Sequence, residues 1–324
     1  DEGNADLQAL VNGVRLSGQA RTDYIFDNIN LAAMANYLAG FVITSNRDCC
    51  HKNYYAYRDT NGTGEWLYMP WDVDLSQGRT WGGFGLAYFD DTMYPDNPLF
   101  MGQNNRLISA LYSTPGFREM YLRRVRSVID QYVKPPGTPY DQLPLETRVD
   151  ELVQLMSADA ALDNQRHRAT WGQTGYQSFQ EANDILKNEY AGPRRLFLYQ
   201  GNGQIPLAQV GHTTIDLGAI DFNPASGNQD EEYLELVNQN DVAVDMTGWR
   251  LTGAVDWQFP AGTVIPSGWS LYVTPNAAAF RARATGPSGG QGLFVQGNYD
   301  GHLSNFGETI ELLADDGSLV NTWT

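Results

Sequence analysis

The chain has 324 residues, of which 42% are apolar and 12% aromatic, with a formal net charge of −17 and a sequence pI near 4.5. This length and apolar content favour two domains with sizeable cores and exclude an intrinsically disordered protein. The acidic balance argues against a general nucleic-acid or anionic-membrane binder, because a phosphate surface requires a basic face. No apolar run reaches the ~18 residues of a membrane-spanning helix, so no membrane span is predicted.

The beginning of the sequence predicts a helix followed by a β-hairpin. Residues 29–43 carry apolar side chains at helical spacing, and this helix ends just before Asp48. Residues 54–57 and 66–69 have strand composition and flank a glycine-rich turn at 61–64. The hairpin would therefore bring the residues before its first strand close to those after its second.

Downstream of the hairpin the pattern is helical. Apolar residues recur every three or four positions over 105–133, and Pro115 with Gly116 divides this stretch into two predicted helices. Residues 146–162 and 178–199 have the same spacing. The first part of the chain is thus mainly helical.

The end of the sequence predicts a β-sandwich. Strand-forming stretches at 233–238, 248–251, 268–274 and 309–313 are separated by Gly, Pro, Asn and Asp. A total of about seven strands suits an immunoglobulin-like sandwich. Together with the mainly helical first part, this predicts an α+β fold with two domains. Six side chains are expected in its core: Trp249, Leu251, Phe259, Ile265, Leu271 and Leu312.

The charge distribution supports a domain boundary. Residues 1–204 contain 24 acidic and 18 basic residues, whereas residues 205–324 contain 14 acidic and 3 basic residues and no lysine. The shift falls at a Gly- and Pro-containing segment, residues 201–206, of the kind that links domains. We therefore predict a helical domain over 1–204 and a sandwich domain over 205–324.

Four polar residues around the hairpin predict a phosphotransfer centre. Asp48 and Asn53 precede the first strand, and Asp72 and Asp74 follow the second. One carboxylate can orient and deprotonate an acceptor hydroxyl, while an amide oxygen and a second carboxylate hold the metal that neutralises a triphosphate. Asp72 and Asp74 alone would suggest hairpin caps or structural calcium ligands. Their combination with Asp48 and Asn53 favours phosphotransfer.

This region resembles the CotH kinase family, which is named for a spore coat protein and is similar in fold to atypical protein kinases. The resemblance covers roughly residues 6–200. It is carried by three motifs: Asn46-x-Asp48, Lys52-Asn53-Tyr54-Tyr55-x-Tyr57-Arg58-Asp59 and Pro70-Trp71-Asp72-x-Asp74-Leu75.

The CotH resemblance implies ATP-dependent phosphorylation of protein hydroxyls by a secreted enzyme. By position, Asp48 would be the catalytic acid, with Asn53, Asp72 and Asp74 as ligands of Mg²⁺ or Mn²⁺. Lys52 would lie within reach of an ATP phosphate.

The carboxyl-terminal part resembles a lamin tail domain over nearly all of residues 210–324. The motifs are Phe222-Asn223-Pro224, Glu231-Glu232-Tyr233-Leu234-Glu235-Leu236, Val244-Asp245-Met246-Thr247-Gly248-Trp249-Arg250-Leu251 and Ile265-Pro266-Ser267-Gly268. This resemblance implies a binding or surface-attachment module. Both families are frequent in bacterial secreted and surface proteins, which implies an extracellular or cell-surface location and either secreted protein substrates or self-assembly partners.

The sequence departs from the kinase pattern before Asp48. Only 47 residues precede it, without a glycine-rich phosphate loop or a lysine, and Lys52 is the first lysine. Losing one such electrostatic donor typically costs about 10²–10³ in rate, so we expect the chain alone to be poorly active or inactive. Upstream residues or a second chain would then supply the amino-terminal lobe, since the first residue is Asp1 rather than Met and suggests a processed or excised chain.

A second hypothesis from another functional class stays open. The missing amino-terminal lobe equally suits a non-catalytic extracellular structural or adhesion protein, such as a surface-layer or filament component. In that case the helical part and the sandwich would serve as packing units.

Other polar clusters leave alternatives open. The adjacent Cys49 and Cys50 could be free thiols, a vicinal disulfide or partners of cysteines elsewhere, and a zinc site with His51 lacks a second cysteine pair. Calcium binding at Asp315-Asp316-Gly317 is a further possibility. The acidic residues at 230–235 are expected mostly at solvated strand positions.

Overall fold

The computed structural model describes residues 3–46, 49–78, 98–167, 178–211 and 213–324. Within these ranges, eight α-helices form most of the described first part: α1 Ala5–Gly13, α2 Gly18–Asn28, α3 Leu31–Thr44, α4 Arg106–Tyr112, α5 Phe117–Val128, α6 Pro144–His167, α7 Phe179–Ile185 and α8 Gly192–Leu196. Short π-helical turns extend or join them at Ile129–Val133, Leu186–Ala191 and Phe197–Gly201. Across these described ranges, no helix is both long and apolar enough to cross a membrane.

Helix α3 lies at the centre of the helical part. Nine of its fourteen residues are buried, which accounts for an apolar pattern that runs around most of the helix. The Asn30 side chain accepts a hydrogen bond from the Ala33 N–H at 2.9 Å and caps its first turn. The helix predicted over 29–43 is thus confirmed.

The predicted break at Pro115 and Gly116 is also confirmed. Helix α4 ends at Tyr112 and α5 starts at Phe117, with Gly116 at φ +79°. A Cβ at Gly116 would lie 2.8 Å from the Trp269 ring, so this glycine permits both the turn and close packing of the sandwich.

The hairpin consists of β1 Tyr54–Arg58 and β2 Trp66–Pro70, which pair antiparallel with Tyr54 opposite Pro70 and Arg58 opposite Trp66. Both strands are one residue longer than predicted. They form a separate two-stranded sheet.

The last part of the chain is a β-sandwich, as predicted. Residues 213–324 contain eleven strands rather than about seven, and three of these have only two residues. They are β3 Asp216–Asp221, β4 Tyr233–Val237, β5 Val244–Asp245, β6 Arg250–Gly253, β7 Val255–Gln258, β8 Val264–Ile265, β9 Ser270–Thr274, β10 Phe294–Gly297, β11 Asp300–Gly301, β12 Ile310–Leu313 and β13 Leu319–Trp323.

Two sheets form the sandwich, with strand orders β10-β9-β4-β3 and β11-β7-β6-β12-β13. Pairing is antiparallel except between β9 and β10. Strands β5 and β8 form a small separate ribbon, and the short helix α9, Ala277–Arg281, follows β9. All six predicted core residues are buried.

Glu232 is an exception to the expectation that the acidic cluster is mostly solvated. Its side chain is buried and accepts hydrogen bonds from the Tyr299 hydroxyl at 2.7 Å and the Leu303 N–H at 3.0 Å. Two donors distant in sequence therefore offset part of the cost of burying this carboxylate. Asp230 is exposed, as expected.

The helical part and the sandwich share one hydrophobic core. Buried residues of both belong to a single cluster, and the rings of Phe26 and Trp269 stack across the junction with centroids 5.6 Å apart. The helical structure of the first part ends at Gly201, and the first strand of the sandwich, β3, begins at Asp216. The predicted boundary between residues 204 and 205 falls in this connection and stays a prediction.

Candidate active site

The open end of the hairpin brings Asn53 and Asp72 together along the backbone. The Trp71 N–H donates to the Asn53 carbonyl at 3.2 Å and extends the ladder by one pair, so Asp72 is the next residue along. Asn53 has φ +62° and Asp72 has φ +54°, a left-handed conformation that Asn and Asp adopt more readily than most residues. Both chain segments therefore leave the ladder at its open end, one at Asn53 and the other at Asp72.

The carboxylates after the hairpin face solvent. Asp72 and Asp74 are exposed, and Asn53 is half-buried. The segment that follows Asp74 is anchored because Leu75 is 2% exposed and the Ser76 N–H donates to the Asp74 carbonyl at 3.0 Å. The side chains of Asp72 and Asp74 are thus held on an ordered turn and available to a ligand.

The carboxyl end of α3 reaches this turn. The Gln77 N–H donates to the Thr44 carbonyl, and the Asn46 N–H donates to the Phe41 carbonyl at 3.2 Å. Ser45 and Asn46 are buried. The predicted catalytic acid, Asp48, lies outside the described residues, so its role stays a prediction.

A vicinal disulfide joins Cys49 and Cys50, which decides between the three states that the sequence left open. Both sulfur atoms are thereby unavailable as thiolate ligands, which rules out the zinc alternative for this oxidised form. Cys50 is fully buried, and its carbonyl accepts a hydrogen bond from the Asn105 side-chain amide at 2.8 Å. The segment that leads to Asn53 is therefore fixed to the start of α4.

Asn105 has a second role as the cap of α4. Its side-chain oxygen accepts from the N–H groups of Leu107 and Ile108 at 3.0 and 3.2 Å. Gly102, at φ +75°, leaves room for Cys50, because a Cβ there would lie 2.8 Å from Cys50 Sγ. Sequence reasoning did not find these two residues. A helix-capping asparagine before an apolar run was the one available signal, and nothing in the sequence pointed to Cys50.

Three tyrosines pack the inner face of the hairpin on α3. The Tyr54 and Tyr68 rings stack at 4.3 Å between centroids, and the Tyr37 ring meets Tyr68 edge-on at 6.0 Å. Burial raises the pKa of the Tyr37 and Tyr68 hydroxyls, so these groups stay protonated near neutral pH. The cluster is structural support for the site.

A groove of about 520 Å³ opens beside the turn that carries Asp72 and Asp74. One wall is a face of α3, another is the hairpin with its following turn, and Ala261 of the sandwich adds to the rim. The residues that define these walls are Tyr37, Gly40, Phe41, Tyr68, Pro70, Val73 and Ser76. A ligand of side-chain or nucleoside size can therefore approach the turn from a largely apolar recess.

The side-chain types at the open end of the hairpin suit a hard cation. Asn53, Asp72 and Asp74 offer one amide and two carboxylate oxygens, the donor types that Mg²⁺ and Mn²⁺ prefer, with remaining positions for water and phosphate. Lys52 is exposed immediately before Asn53. In the part of the chain that the structure describes, no three His, Cys, Asp or Glu residues come together as a metal cluster, so the predicted calcium site at 315–317 gains no support.

Comparison with known proteins agrees with the two resemblances. The family model described as CotH kinase protein matches residues 1–196, and the model of the Lamin Tail Domain matches residues 208–324. No curated protein matches the chain.

Proposed function

The chain belongs to the CotH kinase protein family, and from this premise we propose that it supplies the metal-binding and catalytic residues of an enzyme that transfers a phosphoryl group from ATP to protein hydroxyls outside the cell. The observation that carries the proposal is the backbone contact between Trp71 and Asn53. This contact supports a shared metal ion, because Asn53 and Asp72 are at the same end of the hairpin backbone, as one metal ion would require.

We assign the following roles to the residues of this site. Asn53, Asp72 and Asp74 bind Mg²⁺ or Mn²⁺, which supplies charge neutralisation to the phosphates when bound. Lys52 contacts a phosphate oxygen, and Asp48 orients the acceptor hydroxyl and accepts its proton. Because the reaction depends on positioning and charge, the ordered turn from Asp72 to Gln77 is as important as the ligands themselves.

The disulfide supports an extracellular location. Disulfides form and persist in oxidising compartments and are rare in the reducing cytosol. The bond between Cys49 and Cys50 in this chain is compatible with secretion or exposure at a cell surface. Such a compartment would also supply the secreted or surface proteins that serve as acceptors.

Removal of one carboxylate tests the metal site. At a Mn²⁺ concentration 100-fold above Kd, binding stabilises a folded protein by about 2.7 kcal/mol, which raises Tm by roughly 5 °C. We expect Asp72→Ala to abolish this shift. Without metal its Tm should fall only slightly, because Asp72 is exposed but alanine is less favourable than aspartate at φ +54°. Asp230→Ala, at an exposed position of the sandwich, serves as the matched control and should keep the full shift. An equal shift in wild type and Asp72→Ala would refute the assignment.

One observation favours the alternative, a non-catalytic structural or adhesion protein. The hydrophobic core is continuous between the two parts, and a unit with such a core could serve as the repeating subunit of a surface layer or filament. Sedimentation of the purified chain distinguishes the two functions, since concentration-dependent assembly without metal or nucleotide supports the structural function.

A further inference from the structure

We propose that the sandwich is a fixed part of the candidate active site and that Arg281 is a positioning residue for the hairpin that carries it. This inference rests on the proposed function, because it assigns a role to the sandwich in that same site. It differs from the expectation that a lamin tail domain acts only as a separate attachment module.

Arg281 reaches the turn of the hairpin from the end of α9. Its Nη2 lies 2.5 Å from Glu65 Oε1, and its Nη1 donates to the Thr63 carbonyl at 3.2 Å. The Arg281 and Glu65 side chains are only 11% and 8% exposed. Burial raises the pKa of Glu65, and the charge of Arg281 opposes that rise and favours the ionised carboxylate.

The same guanidinium also contacts the helical part. Its Nη2 donates to the Phe26 carbonyl at 3.4 Å, and its Nε lies 4.0 Å from Asp27 Oδ1. Arg281 therefore joins α2, the hairpin turn and the sandwich at one point. A planar guanidinium with several N–H groups suits this role better than a lysine ammonium.

Arg281 anchors the hairpin at its turn, in addition to the packing of its inner face on α3. A two-stranded sheet alone is only marginally stable in water, and the outer face of this one is exposed at Tyr55, Tyr57, Met69 and Trp71. The five paired positions of the ladder separate the turn from Asn53 and Asp72 by about 16 Å at 3.3 Å per residue. A tilt at the turn is therefore transmitted to the candidate metal ligands at the open end.

Further contacts prevent the sandwich from moving as a tethered module. Arg124 of α5 pairs with Asp245 of β5 at 3.1 Å, and both side chains are almost fully buried. The Ser267 N–H donates to Glu119 Oε1 of α5 at 2.9 Å. At Gly262 a Cβ would lie 2.0 Å from the Ala32 carbonyl of α3, so the two backbones are in direct contact.

The chain offers a matched control for Arg281. Arg283 lies two residues further along and also makes a largely buried ion pair, with Asp221 at 2.7 Å. Its hydrogen-bond partners, the Glu231 carbonyl and Asp221, belong to the sandwich. Arg281→Ala and Arg283→Ala therefore remove the same type of side chain, but only the first removes contacts with the hairpin turn.

Titration of the full chain with Mn²⁺ tests the inference. We expect Arg281→Ala to weaken Mn²⁺ binding about tenfold, as the loss of a group that orients metal ligands does. Arg281→Lys should recover part of the affinity because it restores the charge opposite Glu65. Arg283→Ala should bind as wild type. Equal affinity of Arg281→Ala and wild type, or equal losses in the two alanine variants, would overturn the proposal.

A second measurement separates this inference from the proposed function. If the wild-type chain binds no Mn²⁺, the proposed function fails, and hydrogen exchange of the hairpin still decides the role of Arg281. We expect faster amide exchange over 54–58 and 66–71 in Arg281→Ala than in Arg283→Ala. Identical exchange in the two variants would contradict a positioning role.

Discussion

At the scale of single residues, the candidate site depends on side chains whose partners are far away in the sequence. Asn53 and Asp72 could be predicted together, because the glycine-rich turn and the two strands set the hairpin register. Alternation places Glu232 on the same strand face as Leu234 and Leu236, but the sequence could not predict the hydrogen bonds of its buried carboxylate. Its partners Tyr299 and Leu303 lie 67 and 71 positions away.

Glu232 makes stability depend on pH. Burial raises the pKa of this carboxyl above its ordinary value of 4.5, and the hydrogen bonds from Tyr299 and Leu303 oppose the rise. In the interval between the two values the folded chain binds a proton that the unfolded chain has released. The free energy of unfolding therefore falls as the pH rises through this interval.

We expect Glu232→Gln to remove this part of the pH dependence. The free energy of unfolding, measured with urea between pH 4 and 7, should decline less above about pH 4.5 in the variant than in wild type. Tyr299→Phe should steepen the decline, because it removes a hydrogen bond to the ionised carboxylate. Profiles of equal slope in all three proteins would contradict the assignment.

At the scale of elements, regular periodicity was sufficient for the hairpin and for the helices from α3 to α8, whereas α1 and α2 were not predicted. The π-helical turns at Ile129–Val133, Leu186–Ala191 and Phe197–Gly201 were not predicted, because a few residues at a wider period cannot be distinguished from an α-helix by apolar spacing. The two-residue strands β5 and β8 were missed because they are too short for any alternation.

Asn105 connects two elements, since it caps α4 and holds the segment before the hairpin. Asn105→Ala should cost about 2–3 kcal/mol of unfolding free energy, because it removes the cap and leaves the buried Cys50 carbonyl without this donor. Asn105→Ser retains a capping hydroxyl but is too short to reach Cys50. We therefore expect urea unfolding to show that Asn105→Ser loses only part of this unfolding free energy. If Asn105→Ser were as stable as wild type, the contact with Cys50 would contribute nothing.

At the scale of the whole molecule, the packing of the sandwich on the helical part was beyond sequence reasoning. The six core residues of the sandwich were correct because each satisfies its own strand pattern. By contrast, Arg281 and Glu65 are 216 positions apart, and each would ordinarily be assigned to the surface. Burial of both becomes intelligible only when the two parts are brought together.

The shared core predicts one cooperative unfolding transition for the described body. Asp245→Asn should lower the unfolding free energy by about 3–5 kcal/mol, because Arg124 would be left buried without its carboxylate. Asp256→Asn is the matched control, since its ion pair with Arg250 is about half exposed and screened by solvent, so its loss should change stability far less. Two separate transitions in wild type, or similar losses in the two variants, would argue against a fixed junction.

The central claim is that the hairpin and α3 assemble a site for ATP and a divalent metal. Isothermal titration of the purified chain with ATP and Mn²⁺ tests it most directly, with Asp72→Ala and Asp230→Ala measured in parallel. The account predicts saturable binding by wild type and Asp230→Ala and its loss in Asp72→Ala. Absence of binding by wild type, or undiminished binding by Asp72→Ala, would contradict it.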